Sequence, residues 1–497
     1  MTGRVGVAMW GRLFELSAND GRPLQSQIRQ MMVAAILDRQ LAQGSPVPST
    51  RELAERLGVA RNTVMLAYQQ LVDEGFLTPR ERSGYYVSKE ALSGWASGTT
   101  RSISDDGTHP DWLRRFAVHP SRQRNITKPQ DWQRFRYPFL YGQFDPMLFP
   151  IADWRECCRQ ALGVLEVRDW APDLIDGDDP LLIEQLRTHV LPRRGIWATT
   201  QEIMVTIGAQ QGLFLLAELL VRDGTVVGIE DPGYPDARNI FSMKTRRVRP
   251  LPIDERGVLP DGIEGCDYAY LTPSHQCPTT VTLPLERRRA LLELAAERDV
   301  VLIEDDYESE VSYADRPTPA LKSLDTMQRV IYVGSLSKTL APGLRLGYIV
   351  GPAELIREAR ALRRLMLRHP PANNQRAAAL FLSLGHHEAL VRRLTHVLKD
   401  RSLALRRALD HHLPELEKSN SIGGSSYWLE GPQSLDAVVL AERARRRGVL
   451  IEPGGVFFMS EEPPRNFFRL GFSSIPAERI DAGIAELAAL VRAAALT

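Results

Sequence analysis

Lys338 stands in "VGSLSKTLAPGLRLGY", flanked by Ser335 and Ser337 and followed seven residues later by Arg345. A lysine amine attacks an aldehyde only as the neutral base, so it must sit where its pKa is depressed. Hydroxyls beside it and a planar guanidinium fork are donors suited to a phosphate. Thirty-three residues upstream, "VLIEDDYESE" ends an apolar run with Asp305, Asp306 and Tyr307. Side chains alternate along a strand, which puts Asp305 and Tyr307 on one face and Asp306 on the other. One face thus offers an acid for a ring nitrogen and a phenol for a ring oxygen. "VTIGAQQGLFLLAELL" reads as strand, glycine turn and helix, a junction that aims backbone N–H groups at a phosphate through Gly208, Ala209 and Gln210. In "IEDPGYPDA", Tyr234 follows a strand and a Pro-Gly turn, where its ring can stack on a heteroaromatic face.

A reactive aldehyde, a phosphate, a ring nitrogen to be kept protonated and a ring oxygen are the features of pyridoxal 5′-phosphate. The elements that must position these residues begin near residue 131. From there helical patterns alternate with the short apolar strands "EIMVTIG", "GTVVGIED", "YAYLTP", "DVVLIEDD" and "RVIYVGS". That alternation indicates βαβ units and a mostly parallel sheet. The last hundred or so residues mix Arg/Leu/Ala-rich helices with "SSYWLE" and "NFFRLGF", which suggests a smaller α/β subdomain.

The stretches "EDPGYP", "TPSHQCPTT", "EDDYESE" and "SLSKTLAPGLRLGY" resemble, in order, the fold-type I aminotransferases of class I/II over residues 135–495. The resemblance implies that Lys338 is the catalytic Schiff-base lysine, Asp305 the pyridine-nitrogen partner, Tyr307 the partner of the ring oxygen and Tyr234 the stacking ring. It implies that Ser335, Ser337, Arg345 and the Ala209–Gln210 turn hold phosphate, and that Arg469 in "FFRLGF" binds an acidic group of the ligand. Two departures stand out. Thr280 replaces the usual glycine, and Cys277 replaces the asparagine that many aminotransferases place beside the ring, with His275 and Gln276 as neighbours that could take over. "GGSSYW", residues 423–428, is also more polar than the family pattern.

At the other end lies "PSTRELAERLGVARNTVMLAYQQLVDEGFLTPRERSGYYV", residues 48–87. Ser49 or Thr50 can cap a helix carrying Leu53, Ala54 and Leu57 on one face, and Gly58 stops it. A second helix starts near Thr63 with Val64, Ala67, Tyr68, Leu71 and Val72 in register. Two helices joined by a glycine turn offer the first residues of the second, Arg61, Asn62 and Thr63, to a major groove. "GFLTPRERSGYYV" reads as a hairpin whose turn carries Arg80, Arg82 and Gly84. The whole resembles the winged helix of GntR-type bacterial regulators. This implies DNA contacts by Arg51, Arg61, Asn62 and Thr63, to which Arg82 and Gly84 of the wing are added.

The 497 residues therefore divide into a winged helix-turn-helix over 10–88, a linker over 89–130 and an aminotransferase-like domain over 131–497. The linker region is rich in Ser, Gly, Thr and Pro and carries seven Lys/Arg against four Asp/Glu. Net charge is +1, so contact with DNA must be local rather than driven by a global field. Four cysteines without a C-x-x-C pair argue against a zinc site or a disulfide framework. With neither an apolar leader nor a membrane span in the pattern, the expected location is the cytoplasm, with no membrane partner.

A GntR-type reader joined to an aminotransferase-like body resembles the MocR/GabR family of bacterial regulators. The resemblance implies a homodimer on operator DNA that senses an amino compound, such as γ-aminobutyrate or taurine, by aldimine exchange at Lys338, with no physiological turnover beyond a possible half-reaction. An active aminotransferase with an appended reader, or a sensor of the cofactor itself, are the alternatives.

Overall fold

The computed structural model describes residues 16, 22–38, 40–81, 83–89, 110–143, 145–308, 310–313, 318–419 and 423–495. The chain forms two compact units, residues 1–116 and 117–497.

In the first unit α1 (Leu24–Leu37), α2 (Thr50–Leu57) and α3 (Arg61–Asp73) precede the hairpin β1 (Leu77–Arg80) and β2 (Gly84–Val87). The Ser49 hydroxyl accepts from the Glu52 amide at 3.2 Å, and Gly58 ends α2 in the left-handed region at φ 64°. The buried face of α3 is Val64, Ala67, Tyr68 and Leu71, spaced as a helix demands, and it packs on Ile28, Met32, Leu53, Leu77 and Val87. The Tyr68 hydroxyl, inside this core, donates to the Pro48 carbonyl at 2.9 Å. The first turn of α3 stays outside: Arg61 and Asn62 are exposed, Thr63 is half-buried, and Arg51 on α2 and Gly84 on the hairpin are exposed. Arg82 lies outside the described residues.

The second unit is built on an eight-stranded sheet. Its strands are β3 (Ile203–Thr206), β4 (Val227–Asp231), β5 (Val248–Asp254), β6 (Gly257–Val258), β7 (Tyr268–Leu271), β8 (Val301–Asp306), β9 (Val330–Ser335) and β10 (Gly347–Val350). The order across the sheet is β3-β10-β9-β8-β7-β4-β5-β6. The five strands β9, β8, β7, β4 and β5 are parallel, while β10 runs against both of its neighbours and β6 against β5. Helices on both faces explain why these strands read as nearly continuous apolar runs. α4 (Gly208–Leu220) follows β3 directly.

The smaller subdomain holds β11 (Glu417–Lys418), β12 (Ser426–Glu430), β13 (Glu452–Pro453) and β14 (Phe467–Gly471) in the order β11-β12-β14-β13. Every pairing in it is antiparallel, so the βαβ logic of the large sheet does not extend here. α5 (His386–His412) and α6 (Ala477–Ala495) supply Leu405, Leu409, Ile480 and Ile484 to a core with Phe139, Phe468, Leu470 and Phe472.

Residues 117–130, assigned to the linker by composition, belong structurally to this unit. Arg124 Nη2 donates to the Ser460 carbonyl at 2.8 Å, and Gln123 Nε2 to that of Asn239 at 3.1 Å. Composition registers the missing periodicity but not such docking onto carbonyls distant in sequence.

Candidate functional site

Parallel strands deliver their C-terminal ends to one edge of a sheet, and that edge is where ligands bind in open α/β folds. Here β4 leads to Tyr234, β7 to Cys277, β8 to Asp305 and Tyr307, and β9 to Ser335, Ser337 and Lys338. The antiparallel β10 begins at the same edge, because Gly347 pairs with both Ser335 and Thr206. Arg345, just before β10, and Ala209–Gln210, just after β3, are thereby brought together. Every residue expected around the cofactor, with Arg469 from β14, lines one cavity.

Lys338 is exposed and lines the cavity. Its Nζ lies 4.6 Å from the centre of the Tyr141 ring. Gly142 beside it has φ 65°, a left-handed backbone that favours glycine, and a Cβ there would come within 2.8 Å of that nitrogen. Burial lowers the pKa of Lys338, Lys128 and Arg469 add to the effect, and Glu308 opposes it. The shift favours the neutral, nucleophilic form of the amine.

Asp305 and Asp306 divide as strand alternation requires. Asp306 faces away from the cavity and accepts from Arg194 Nε and the Tyr332 hydroxyl, each at 2.8 Å. Asp305 Oδ2 accepts from the Tyr270 hydroxyl at 2.7 Å, while Oδ1, equally buried, has no hydrogen-bond partner among the described residues. Burial raises the Asp305 carboxyl to about 7. An orphaned acid oxygen in a cavity wall fits a ring N–H.

That shift carries a pH dependence. Between its ordinary 3.8 and about 7, folded Asp305 keeps a proton that the unfolded chain has released. Stability of the cofactor-free protein therefore falls as pH rises through that window. Glu230 and Glu304, both raised to about 7 by burial, add the same sign. His275, lowered by burial from 6.5 to about 4, adds the opposite slope in its own range. In Asp305→Asn the difference in denaturant midpoint between about pH 5 and about pH 7.5 is expected to shrink; a difference equal to that of the unaltered protein would refute the assignment.

The phosphate end is open. α4 starts without a side-chain cap, which leaves its first amides available toward the cavity. Arg345 is exposed, and its one contact here is a long 3.4 Å approach to the Ile207 carbonyl. The Ser335 Oγ accepts from the Ser337 amide at 3.3 Å and keeps its own proton for a ligand. Ser337 differs, since its hydroxyl donates to the Leu346 carbonyl and accepts the Leu346 amide, both at 3.1 Å, and is spent on shaping the loop. Gly347 holds this corner closed: a Cβ there would lie 2.6 Å from the Gly208 carbonyl carbon and 2.7 Å from the Ala209 nitrogen. Gly347→Ala is expected to destabilise the fold by about 1–3 kcal/mol and to weaken phosphate binding as well; unchanged thermal stability and cofactor affinity would contradict this packing.

The remaining expectations meet a mixed outcome. The Tyr234 ring lines the cavity, with its hydroxyl on Asp236 Oδ2 at 3.0 Å. Tyr307 lines it too, but its proton goes to the His275 carbonyl at 2.8 Å and would have to change partner to serve a ring oxygen. Cys277 lines the cavity, its thiol pushed up to about 12 by burial and so neutral. Neither neighbour takes over from it. Gln276 Nε2 is committed to the Pro232 and Cys277 carbonyls, both at 2.8 Å, and the His275 ring packs under Gly423 and Gly424. Thr280 has φ 62°, a left-handed backbone that costs a non-glycine residue roughly 1–2 kcal/mol.

Arg469 is 2% exposed. Its Nε donates to Glu452 Oε2 at 2.9 Å, and its plane faces the rings of Tyr141 at 4.2 Å and Phe457 at 4.7 Å. Nη2 has no hydrogen-bond partner among the described residues. Sequence reasoning passed over Tyr141, Gly142, Lys128, Glu308 and Glu452. Tyr141–Gly142 in "FLYGQF" carries an aromatic–glycine signal, whereas the others carry none.

The family model for aminotransferase class I and II matches residues 176–487, and that for bacterial regulatory proteins of the gntR family matches residues 24–87. The HTH-type transcriptional regulator TauR of Rhodobacter capsulatus is 44% identical over 482 residues, 96% of this chain and 99% of that protein. The probable rhizopine catabolism regulatory protein MocR of Rhizobium meliloti is 29% identical over 469 residues, 94% of this chain and 93% of that one. Among solved structures, LysN, an α-aminoadipate aminotransferase from Thermus thermophilus complexed with N-(5′-phosphopyridoxyl)-L-leucine, aligns at a TM-score of 0.70 and 27% identity, over 78% of this chain and 100% of that one.

Proposed function

Because this chain belongs to the MocR/GabR family of bacterial transcriptional regulators, we propose that it is a cytoplasmic homodimer whose grip on operator DNA changes when an amine with an acidic end enters the Lys338 cavity. Pyridoxal 5′-phosphate, when bound, supplies an aldehyde carbon for which the lysine amine and an incoming amine compete. Lys338, whose pKa the cavity lowers, is the resident amine. The free oxygen of Asp305 takes the ring N–H and holds its proton. Arg345, Ser335 and the amides of Ala209 and Gln210 bind the phosphate, and Tyr234 covers the ring. Arg469 orients the incoming amine through Nη2.

At the other end, Arg61, Asn62 and Thr63 enter a major groove, Arg51 meets the backbone, and a two-fold dimer pairs two readers with two half-sites. For occupancy to matter, the ligand must bind two arrangements of linker and readers with different affinity. A carboxylate or a sulfonate suits a guanidinium fork, so the effector is an amino acid or aminosulfonate such as γ-aminobutyrate or taurine. Likeness to TauR over nearly the whole chain favours the aminosulfonate.

One observation supports the reading above the rest: a lysine, an orphaned acid oxygen and an unsatisfied guanidinium share one cavity on a chain that also carries a DNA reader. Operator affinity at fixed salt, with and without taurine or γ-aminobutyrate, tests it. A change of roughly 5- to 150-fold is expected. An affinity indifferent to the amine, with many equivalents of carbonyl product released, would instead make the protein an aminotransferase.

A further inference from the structure

Two basic side chains, Arg469 and Lys128, and two acidic ones, Glu452 and Glu308, crowd the acidic end of the cavity beside Lys338. Glu452, 4% exposed, serves both basic groups at once. Its Oε2 takes Arg469 Nε at 2.9 Å and the Tyr141 amide at 3.2 Å, and its Oε1 lies 3.3 Å from Lys128 Nζ. Lys128 also donates to the Tyr141 carbonyl. The other carboxylate, Glu308, accepts from the Ser425 hydroxyl at 2.5 Å and sits on the Lys338 side. Cys277 beside them is neutral. Arg469 and Lys128 therefore share one carboxylate, Glu452, while Glu308 acts on Arg469 from the Lys338 side, and a buried guanidinium nitrogen is left without a hydrogen bond among the described residues. A buried cation without full compensation is costly, and an anion entering the cavity removes that cost.

Lys128 differs from its neighbours in where its chain leads. It closes the docked run 117–130, which follows the DNA reader and its tether in the chain. That run is pinned by Gln123 and Arg124, and the Asn239 amide donates to the Arg124 carbonyl at 3.0 Å. Two residues before Lys128, Ile126 lines the cavity.

Resting on the amine-sensor reading above, we propose that Lys128 is a positioning residue that sets effector specificity. By sharing Glu452 it leaves Arg469 with net charge for the acid of a carboxylate- or sulfonate-bearing primary amine. When that acid arrives, Glu452 and Lys128 rearrange, and the end of the tether moves with them.

The test uses full-length protein loaded with pyridoxal 5′-phosphate. Taurine, γ-aminobutyrate and the acid-free ethylamine and propylamine are titrated by the change in cofactor absorbance, for the unaltered protein, Lys128→Met and Lys128→Arg. Tryptic cleavage after Arg122 and Arg124 is followed in parallel. The unaltered protein should prefer the acid-bearing amines. Lys128→Met should lose roughly tenfold or more of that preference over the acid-free amines, and Lys128→Arg should keep most of it. Taurine or γ-aminobutyrate should alter cleavage of the run in the unaltered protein and not in Lys128→Met.

If Lys128→Met discriminates and changes its cleavage as the unaltered protein does, the role of Lys128 is overturned and the sensor reading stands. If the unaltered protein itself answers none of the amines, the sensor reading fails and this inference falls with it. A Lys128→Met protein without the resting cofactor spectrum is set aside, and Lys128→Gln then answers by the same criteria.

Discussion

Lys338→Ala protein should carry no borohydride-stable pyridoxyl group and should show no change in operator affinity on addition of an amine. The loss is expected to be complete because the cavity offers no second amine in the right place. Lys128 is held by Glu452 and the Tyr141 carbonyl, and Arg345 and Arg469 are guanidinium groups that do not become nucleophiles near neutral pH. Non-covalent retention of the cofactor should survive, since Asp305, Tyr234 and the phosphate-facing amides are untouched. The fold should also survive, because Lys338 Nζ is in contact with the Tyr141 ring rather than tied into a structural ion pair. Equilibrium dialysis with pyridoxal 5′-phosphate, followed by reduction and mass measurement, separates the two kinds of binding. A reduced adduct persisting on the alanine protein at the original stoichiometry would sink the assignment of Lys338.

The second large effect belongs to the DNA reader. Arg61 and Asn62 head α3 with exposed side chains, and neither contributes to the core that Val64, Ala67, Tyr68 and Leu71 form. Arg61 touches Thr50 Oγ1 at a loose 3.4 Å, which leaves its fork free for guanine or phosphate. Arg61→Ala and Asn62→Ala should each weaken specific operator binding by about 1–3 kcal/mol, roughly ten- to a hundredfold, with thermal stability and cofactor loading unchanged. If Arg61 reads a base edge, discrimination between operator and random duplex falls. If it binds phosphate, both affinities fall together and the slope of affinity against salt drops by about one unit. Operator affinity unaltered in both variants would remove α3 from the groove.

These two ends were legible in the sequence for one physical reason: their chemistry lies on short stretches where local geometry dictates what meets what. Alternation along β8 separated Asp305 from Asp306, and the helical spacing in α3 separated its core face from Arg61. The central sheet follows from alternating patterns in the same way. The antiparallel small sheet does not, because β11 to β14 pair by long-range packing that no local period encodes. The acidic end of the cavity escaped the sequence for the same reason. Glu452 meets the Tyr141 amide across 311 residues, and Lys128 sits in a stretch whose Ser, Gly and Pro content suggests only a tether. Spacing placed Ser337 beside Lys338, but only the geometry reveals that its hydroxyl is committed to Leu346.

The central claim is that exchange of amines at Lys338 is what changes the hold on DNA. Borohydride treatment of cofactor-loaded protein fixes the lysine in place and forbids exchange while leaving the reader intact. Operator affinity of reduced and unreduced protein, each titrated with taurine and γ-aminobutyrate, tests that claim most directly. The unreduced protein should respond and the reduced protein should not, with both binding operator equally well before amine is added. An equal response from the reduced protein would contradict the account.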